Sequence, residues 1–204
     1  MLVVGCHPDD VELGCGGTIA KHLERGDSVY ALTLTNGEQG KHAPNLKECL
    51  QSYKTLGIPK NNSFFAEFPD GYIRDDQRTV NFIEELIKQK GITRVYTHHY
   101  NDRHQDHRNC SKATSAAARK VNEIYLYEGP STNPGFDPHI FLEISKSQLQ
   151  KKLDALSCYQ TQIKKGIVNL DWIKSLAGHR GFAGNVPYAE AFAPNHIFRG
   201  GSSV

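Results

Sequence analysis

Histidine and aspartate side chains cluster in two short segments of the chain. The first, His7-Pro8-Asp9-Asp10, follows the apolar run Leu2-Val3-Val4. The second holds four of the ten histidines, namely His98, His99, His104 and His107. Short apolar runs predict buried strands, and the turns that follow parallel strands meet at one edge of an open α/β sheet. Imidazole and carboxylate groups brought together in this way predict a metal site with a spare carboxylate beside it.

The predicted metal ligands are His7, Asp10 and His107. Imidazole nitrogens plus one carboxylate, with a fourth position left for water, make up the composition of a catalytic zinc site. The same set of ligands also suits iron(II) or another divalent ion. The sequence therefore predicts zinc and leaves the native metal open.

Three further side chains are predicted to act around the metal. Adjacent side chains point apart in an extended segment, so Asp9 is the predicted general base, which takes a proton from a water on the ion. His104 precedes His107 by one helical turn and is predicted to face the same cavity, where it stabilises an oxyanion and protonates a leaving amine. Asp106 is predicted to hydrogen-bond one of these imidazoles. With His104 as its partner, it would favour the imidazolium form.

Strand and helix patterns alternate along the chain. Strands are predicted at 2–4, 28–35, 63–68, 94–98, 124–127 and 140–144, and helices at 18–24, 46–56, 80–89, 111–121 and 149–163. Ser145 and Gln148 form a capping-box pattern before the last of these helices, and Gly14-Cys15-Gly16-Gly17 is predicted to be a turn. The alternation predicts an α/β fold, a three-layer sandwich with a mostly parallel sheet, in which residues 1–204 form one domain.

Composition argues against several classes of protein. Hydrophobic residues make up 38% and charged residues 23% of the 204 residues, and the net charge of +2 is too small to predict a nucleic-acid or anionic-membrane partner. No apolar run reaches the roughly 20 residues that span a bilayer, and no signal-peptide pattern is present. The five scattered cysteines predict reduced thiols and a cytoplasmic location. Oligomeric state stays open, with a homo-oligomer as one option, and so does the presence of residues before Met1.

The two segments together resemble the LmbE-like or PIG-L family of zinc-dependent de-N-acetylases. Its hallmark is an opening of the (A/G)HPDDxE type, here Cys6-His7-Pro8-Asp9-Asp10-Val11-Glu12, with a later HPDH-type segment, here His104-Gln105-Asp106-His107. Further similar stretches extend the resemblance over nearly the whole chain: Gly16-Gly17-Thr18, Asn36-Gly37-Glu38, Phe68-Pro69-Asp70-Gly71, Tyr159-Gln160-Thr161-Gln162 and Tyr188-Ala189-Glu190-Ala191-Phe192. The resemblance implies a Rossmann-like fold and hydrolysis of an N-acetyl group from an N-acetylglucosamine derivative.

The resemblance also implies roles for individual residues. It maps the family's zinc ligands and base onto the residues predicted above, and its acid or electrophile onto His104. Within the family, the opening and the late Tyr-Ala-Glu-Ala-Phe stretch look most like the deacetylases of bacillithiol synthesis, which act on N-acetylglucosaminyl malate. Two positions depart from this pattern. Gln105 replaces the usual proline, and Asn45 stands where relatives often carry an arginine that would grip the substrate.

Four side chains are predicted to contact a small amino-sugar substrate: Arg103, Tyr159, Gln162 and Glu190. Arg103 directly precedes His104. Tyr159 and Gln162 adjoin the apolar stripe of the last predicted helix, and Glu190 is predicted to brace the site from the C-terminal region.

Three other functions remain open at this stage. A zinc hydrolase of another amide or of an ester would use the same metal centre. A metal-stabilised binding protein without catalysis would need neither Asp9 nor His104, since a structural zinc site usually has its fourth position closed. A nucleotide-binding domain would use the Gly-rich stretch at a helix N-terminus, but the full dinucleotide fingerprint and its acidic partner are missing.

Overall fold

Helices and strands alternate in the computed structural model, which describes residues 1–37 and 46–198. The strands are β1 (Leu2–Gly5), β2 (Tyr30–Thr35), β3 (Ser63–Phe68), β4 (Arg94–His98), β5 (Glu123–Tyr127), β6 (Ile140–Glu143) and β7 (Ala189–Ile197). The helices are α1 (Asp10–Glu24), α2 (Leu46–Leu56), α3 (Gln77–Lys90), α4 (Gln105–Ala117), α5 (Lys146–Leu156), α6 (Gln160–Lys164) and α7 (Leu170–Ala183). No helix in these ranges combines the length and apolarity needed to cross a membrane.

The strands form one seven-stranded sheet in the order β3-β2-β1-β4-β5-β7-β6. β1 to β5 pair in parallel, and β7 pairs antiparallel with β5 and with β6. The register places Leu2 beside Val95 and Val3 beside Tyr96, so β1 and β4 end at the same edge. The strand order reverses between β1 and β4, and open α/β sheets bind ligands at such a switch point.

Apolar side chains pack on both faces of the sheet, which gives three layers. One face carries α1, α2 and α5, whose buried side chains include Ile19, Tyr53 and Leu156. The opposite face carries α3 and α4, through side chains such as Ile83 and Ala113. The predicted α/β fold, a Rossmann-like three-layer sandwich with a mostly parallel sheet, is confirmed.

Helix α1 begins at Asp10, so the prediction of a turn at 14–17 was wrong. Glycine lowers helix stability by about 1 kcal/mol relative to alanine, and this local preference suggested the turn. The glycines are instead positions where other side chains contact the helix backbone. A Cβ atom would lie 2.4 Å from Tyr127 at Gly14, 2.7 Å from Lys152 at Gly16 and 2.6 Å from Ile144 at Gly17. Tertiary packing therefore outweighs the local preference.

The single helix predicted at 149–163 is divided in two. Helix α5 ends at Leu156 and α6 begins at Gln160. The turn between them places Tyr159 in the core, where its hydroxyl donates to Glu12. The capping box of the Ser145 and Gln148 pattern is confirmed at the start of α5.

Helix α4 begins six residues earlier than predicted, at Gln105. The side chain of His104 caps it by accepting a hydrogen bond from the Asp106 amide. Histidine is not one of the residues that usually cap a helix, so no start signal could be recognised there. Strand β7 was also missed. It contains Pro194, a residue that argues against a strand, and its pairing with β5 shifts register between Ile124 and Tyr125.

Candidate active site

The turns after β1 and β4 bring the two His/Asp segments together. β1 ends two residues before His7, and the chain that leaves β4 enters α4, whose first turn contains His107. The two imidazoles meet although the residues lie 100 positions apart in the sequence. The site is therefore a product of the parallel pairing of β1 and β4.

The three predicted metal ligands lie close to one another. His7 Nδ1 is 3.3 Å from His107 Nε2. Asp10 Oδ2 is 3.4 Å from His7 Nδ1, and Asp10 Oδ1 is 3.4 Å from His107 Nε2. Bonds of about 2.0–2.1 Å to a tetrahedral zinc ion would separate its ligand atoms by about 3.3 Å. The spacing of the two imidazole nitrogens matches that separation, while Asp10 approaches each imidazole with a different carboxylate oxygen. The chemistry of the three donors suits zinc and also iron(II).

Carboxylates face the second nitrogen of each of these imidazoles. His7 Nε2 lies 3.0 Å from Asp70 Oδ1 and 3.2 Å from Asp106 Oδ2. His107 Nδ1 lies 3.3 Å from Asp102 Oδ1. A carboxylate that accepts one ring N–H fixes the tautomer and leaves the other nitrogen available to a metal. The nitrogens left available are the two that lie 3.3 Å apart.

Asp70 and Asp102 are functional candidates that the sequence reasoning missed. Asp70 lies in the turn after β3 and Asp102 in the loop after β4. Asp102 is 1% exposed and accepts hydrogen bonds from the His104 amide at 2.8 Å and the Thr132 hydroxyl at 3.1 Å. Their position after strands of the parallel sheet was the available signal. The imidazole that each contacts depends on loop geometry, which residue spacing does not reveal.

Backbone amides of residues that precede Asp10 in the chain hold its carboxylate in place. Its Oδ2 accepts from the Cys6 amide at 3.0 Å and from the His7 amide at 2.7 Å. Burial would raise the pKa of Asp10, but the charge of His107 and hydrogen bonds from His107 and His7 hold it well below its usual range. Burial would likewise lower the pKa of His107, yet Asp10 raises it to about 10. His107 is therefore protonated at neutral pH, and a metal ion that bound its Nε2 would have to displace that proton.

His98 packs behind His107 and does not line the pocket. The two rings are stacked with their centroids 3.9 Å apart. His98 Nε2 lies 3.2 Å from Asp10 Oδ2, and burial lowers the pKa of His98 to about 4. A neutral, buried imidazole in this place supports the orientation of the His107 ring.

Asp9 lies beside the predicted ligands, on the wall of the same pocket. Its φ of 105° belongs to a region that residues other than glycine rarely adopt. Its carbonyl accepts from the Leu13 amide at the start of α1, while its carboxylate does not cap the helix. Burial and the charge of Asp10 raise the pKa of Asp9 well above its usual range. A strained backbone that presents a proton-accepting carboxylate to a pocket is suited to a general base.

His104 lies next to both predicted imidazole ligands, with its ring centroid 4.7 Å from that of His7 and 4.6 Å from that of His107. Its Nδ1 accepts from the Asp106 amide at 3.2 Å, which leaves Nε2 to carry the proton. The Asp106 carboxylate is not paired with His104; it contacts His7 and two amides of the loop at 71–73. The imidazolium predicted for such a pair is not favoured, because burial and the charges of His107 and His7 lower the pKa of His104.

The candidate metal-facing atoms border a pocket of about 290 Å³. Its described lining consists of His7, Asp9, Asp10, Leu13, Gly37, Asp70, His104, His107, Pro130, Ser131, Gln162, Lys165 and Ile167. Among these residues Lys165 is the one lysine or arginine. Asn45 and Glu38, which the sequence reasoning singled out, lie outside the described residues.

Of the four predicted substrate contacts, Gln162 lines the pocket and Arg103 does not. The Arg103 guanidinium donates to the carbonyl oxygens of Pro130 and Ser131, two residues of the pocket wall. The structure therefore places Arg103 behind the pocket wall, and its direct contact with substrate stays a prediction. Although Arg103 directly precedes His104 in the sequence, its side chain turns toward the separate loop at 130–131.

Tyr159 and Glu190 also lie away from the pocket, and the structure does not bring them to the predicted substrate contacts. Tyr159 is fully buried, and its hydroxyl donates to Glu12 at 2.8 Å. Glu190 is 6% exposed and accepts from backbone amides of α1. Both side chains stabilise α1 from the core, in line with the bracing role expected of Glu190.

Comparison with known proteins connects this site to a family. Residues 2–118, more than half of the chain, match the family described as PIG-L: GlcNAc-PI de-N-acetylase. An uncharacterized deacetylase of Escherichia coli (strain K12), YaiS, is 32% identical over 169 residues, which cover 79% of this chain and 90% of that protein.

Two solved structures share the fold. The conserved protein TT1542 from Thermus thermophilus has a TM-score of 0.85 and 28% identity, covering 98% of this chain and 96% of that one. GalB, the 4-carboxy-2-hydroxymuconate hydratase from Pseudomonas putida KT2440, has a TM-score of 0.83 and 21% identity, covering 100% and 98%. The second likeness concerns the fold alone, so the reaction must be argued from the site. On the family match and the deacetylase relative, the chain belongs to the PIG-L family of de-N-acetylases.

Proposed function

We propose that the protein is a metal-dependent deacetylase that hydrolyses the N-acetyl group of an N-acetylglucosamine derivative to acetate and a free amine. The observation that carries the proposal is the approach of His7, Asp10 and His107 to metal-ligand spacing, with Asp9 and His104 on the wall of the same pocket. A structural metal site would need neither of the last two residues. The descriptions of the family and of the Escherichia coli relative support the same reaction.

His7, Asp10 and His107 would hold the ion, for which we propose zinc. When bound, zinc supplies a Lewis acid that polarises an amide carbonyl and makes a water molecule more acidic. Asp102 and Asp106 serve this centre by holding the two imidazoles in the tautomers described above.

Asp9 is proposed to move the proton. As the oxygen of the attacking water bonds to the amide carbon, the Asp9 carboxylate takes a proton from that water. The raised pKa of Asp9, which follows from its burial and from Asp10, makes its carboxylate a stronger acceptor. When the C–N bond breaks, the same proton passes from Asp9 to the nitrogen. The nitrogen leaves as the amine, and the carbon retains the water oxygen as acetate.

His104 is proposed to stabilise the negative charge that develops on the carbonyl oxygen. Its neutral imidazole keeps the proton on Nε2, because Nδ1 accepts from the Asp106 amide. An N–H donor already in place stabilises charge in the transition state at little cost of reorganisation. Protonation of the amine, first expected from His104, is assigned here to Asp9 because the pKa of His104 is lowered.

The far wall of the pocket suggests how the rest of the substrate is bound. Gln162 is 2% exposed and is proposed to contact the sugar, while the exposed Lys165 and Ile167 would contact the group attached to it. Within the described ranges Lys165 makes no ion pair. An ammonium group in this place favours a carboxylate or phosphate. Lys165 would supply the positive charge that binds an acidic aglycone such as malate. Asn45, which stands where relatives often carry an arginine, has no charge for this role.

We also propose a cytoplasmic location. All five cysteines, Cys6, Cys15, Cys49, Cys110 and Cys158, are free thiols, and four of them are buried. Free thiols are typical of proteins that reside in reducing compartments.

Acetate release from two substrate panels tests the proposed reaction. The first panel contains N-acetylglucosamine conjugates with neutral and acidic aglycones, and the second contains N-acetyl amino acids and acetate esters. We expect turnover in the first panel by the zinc-loaded protein. Turnover confined to the second panel would show a zinc hydrolase of another amide or ester. Zinc binding without turnover in either panel would contradict the proposal and favour a binding protein.

A further inference from the structure

An ion pair from outside helix α1 contacts the backbone of that helix. Lys152 of α5 and Glu190 of β7 form the pair, with Nζ and Oε1 2.5 Å apart. The Lys152 ammonium also donates to the Leu13 carbonyl at 2.8 Å. The Glu190 carboxylate accepts from the Gly17 amide at 3.0 Å and from the Thr18 amide at 2.7 Å. Both charged side chains therefore hydrogen-bond to main-chain groups within a helix.

Gly16 and Gly17 make this approach possible. A Cβ atom would lie 2.7 Å from Lys152 Cγ at Gly16, and 3.3 Å from Glu190 Cδ at Gly17. Larger side chains at these positions would push the ion pair away from the helix. The glycines, which are unfavourable inside a helix, thus give two charged groups access to its backbone.

Stability alone is a weak reason for the presence of this pair. The side chains of Lys152 and Glu190 are only 6% and 5% exposed, so both charges have been removed from water. Desolvation often cancels the attraction within such a pair, and apolar residues of similar size can be equally stable. What the charges add is fixed geometry, because each one is bonded to a defined main-chain atom.

Leu13 connects the ion pair to the candidate active site. Its carbonyl accepts from Lys152, its amide donates to the Asp9 carbonyl at 2.9 Å, and its side chain lines the pocket. Asp10 lies in the same turn of the helix. A shift of Leu13 would therefore move both aspartates relative to His7 and His107.

We propose that Lys152 and Glu190 are positioning residues that set the distances from Asp9 and Asp10 to the two imidazole ligands. Neither side chain lines the pocket, and both residues lie outside the segment at 2–118 that matches the family. The effect on turnover rests on the proposed function. The effect on zinc affinity rests on the metal centre in that proposal but not on the deacetylation.

The double variant Lys152→Met/Glu190→Gln tests the proposal, because it removes both charges while it keeps side chains of similar size. Zinc affinity is measured by competition with a chromophoric chelator, and kcat and KM are measured at saturating zinc with an N-acetylglucosamine conjugate. We expect zinc affinity and kcat each to fall about 10-fold, with KM unchanged. Because the pair acts as a unit, Glu190→Gln alone should cost about as much as the double variant.

Lys151→Met is the matched control. Lys151 is the neighbouring residue of α5, and it also reaches α1, through an ion pair with Glu24 at 3.1 Å whose side chains are 44% and 38% exposed. Among the described residues, this pair contacts no main-chain atom near the site. We expect zinc affinity, kcat and KM of the control to match the wild type.

A folded double variant with wild-type zinc affinity and kcat overturns the proposal, even if its melting temperature has fallen, because the pair would then only stabilise the fold. If the double variant does not fold, Lys152→Arg and Lys152→Met are compared. Better zinc affinity in the arginine variant, which keeps the charge, supports positioning, and equal affinity overturns it. If the wild type binds zinc but releases no acetate, the proposed function fails, while zinc affinity still decides this proposal.

Discussion

His7 Nδ1 lies 3.3 Å from His107 Nε2, and the other nitrogen of each ring faces a buried or nearly buried carboxylate. The two residues come from turns after β1 and β4, which only the sheet brings together. Two imidazoles arranged in this way direct their free nitrogens toward one point. This relationship is the basis of the proposed metal centre.

Replacement of Asp9 by asparagine should separate catalysis from metal binding. Asparagine also tolerates the positive φ at this position, so the fold should be kept, whereas the amide cannot take up a proton. We expect zinc stoichiometry to stay at the wild-type level and kcat to fall by about 10²- to 10⁴-fold. Metal analysis and acetate release, measured on the same preparation, check both halves. Loss of zinc with activity retained would overturn the assignment of Asp9 as the base.

Replacement of Asp102 by asparagine should weaken metal binding. The variant loses the carboxylate 3.3 Å from His107 Nδ1, which orients the ring and increases its basicity. We expect zinc affinity to fall by about 10- to 100-fold in a chelator competition. Asp27→Asn is the matched control, since Asp27 pairs with His22 outside the pocket, and it should bind zinc normally. Equal zinc affinities of the two variants would show that Asp102 does not support His107 as a ligand.

The close approach of the three proposed metal ligands could be predicted from the sequence because their chemistry is local. His7 and Asp10 follow β1 within four residues of each other. His107 follows β4, the strand that pairs with β1 and ends at the same edge of the sheet. Alternating strand and helix patterns also predicted the parallel sheet, since each pattern reports on the burial of its own segment. Residue types and spacing were sufficient for these features.

Long-range partners could not be predicted in the same way. Gly14, Gly16 and Gly17 looked like a turn because the side chains that pack on them come from residues 127–190. Substrate contacts are predicted for Tyr159 and Glu190 because the sequence shows where they lie along the chain but not that their side chains point into the core. These features depend on packing between distant segments.

Lys165 should determine the preference for an acidic aglycone. Lys165→Met removes the charge on the pocket wall while it keeps the apolar stem. We expect KM to rise by about 10-fold for conjugates with a carboxylate or phosphate, and to stay unchanged for neutral ones. Lys164→Met, which changes the neighbouring lysine outside the pocket lining, is the control. An equal rise for acidic and neutral conjugates would contradict the assigned role.

The buried Glu12 should make stability depend on pH. Burial raises the pKa of Glu12 from its usual 4.5 to about 7, although the Tyr159 hydroxyl bonded to it acts in the opposite direction. The folded state therefore holds this proton more tightly than the unfolded state. The resulting contribution to the free energy of unfolding is fully present below about pH 4.5 and is lost as the pH rises to about 7, a change of about 3 kcal/mol.

Glu12→Gln, which is neutral at every pH, should lack this dependence. Urea unfolding of the chelated protein at several pH values measures the free energy of unfolding of both proteins. The advantage of the variant over the wild type should grow between about pH 4.5 and pH 7 and then level off. A difference that does not change with pH would show that Glu12 titrates normally.

Removal of the metal from the wild-type protein tests the central claim most directly. Acetate release from an N-acetylglucosamine conjugate is measured before chelation, after chelation, and after zinc is restored, with His7→Ala measured alongside. We expect about one zinc per chain, activity that chelation abolishes and zinc restores, and neither metal nor activity in the variant. Full activity after complete removal of the metal, or normal zinc content in His7→Ala, would contradict it.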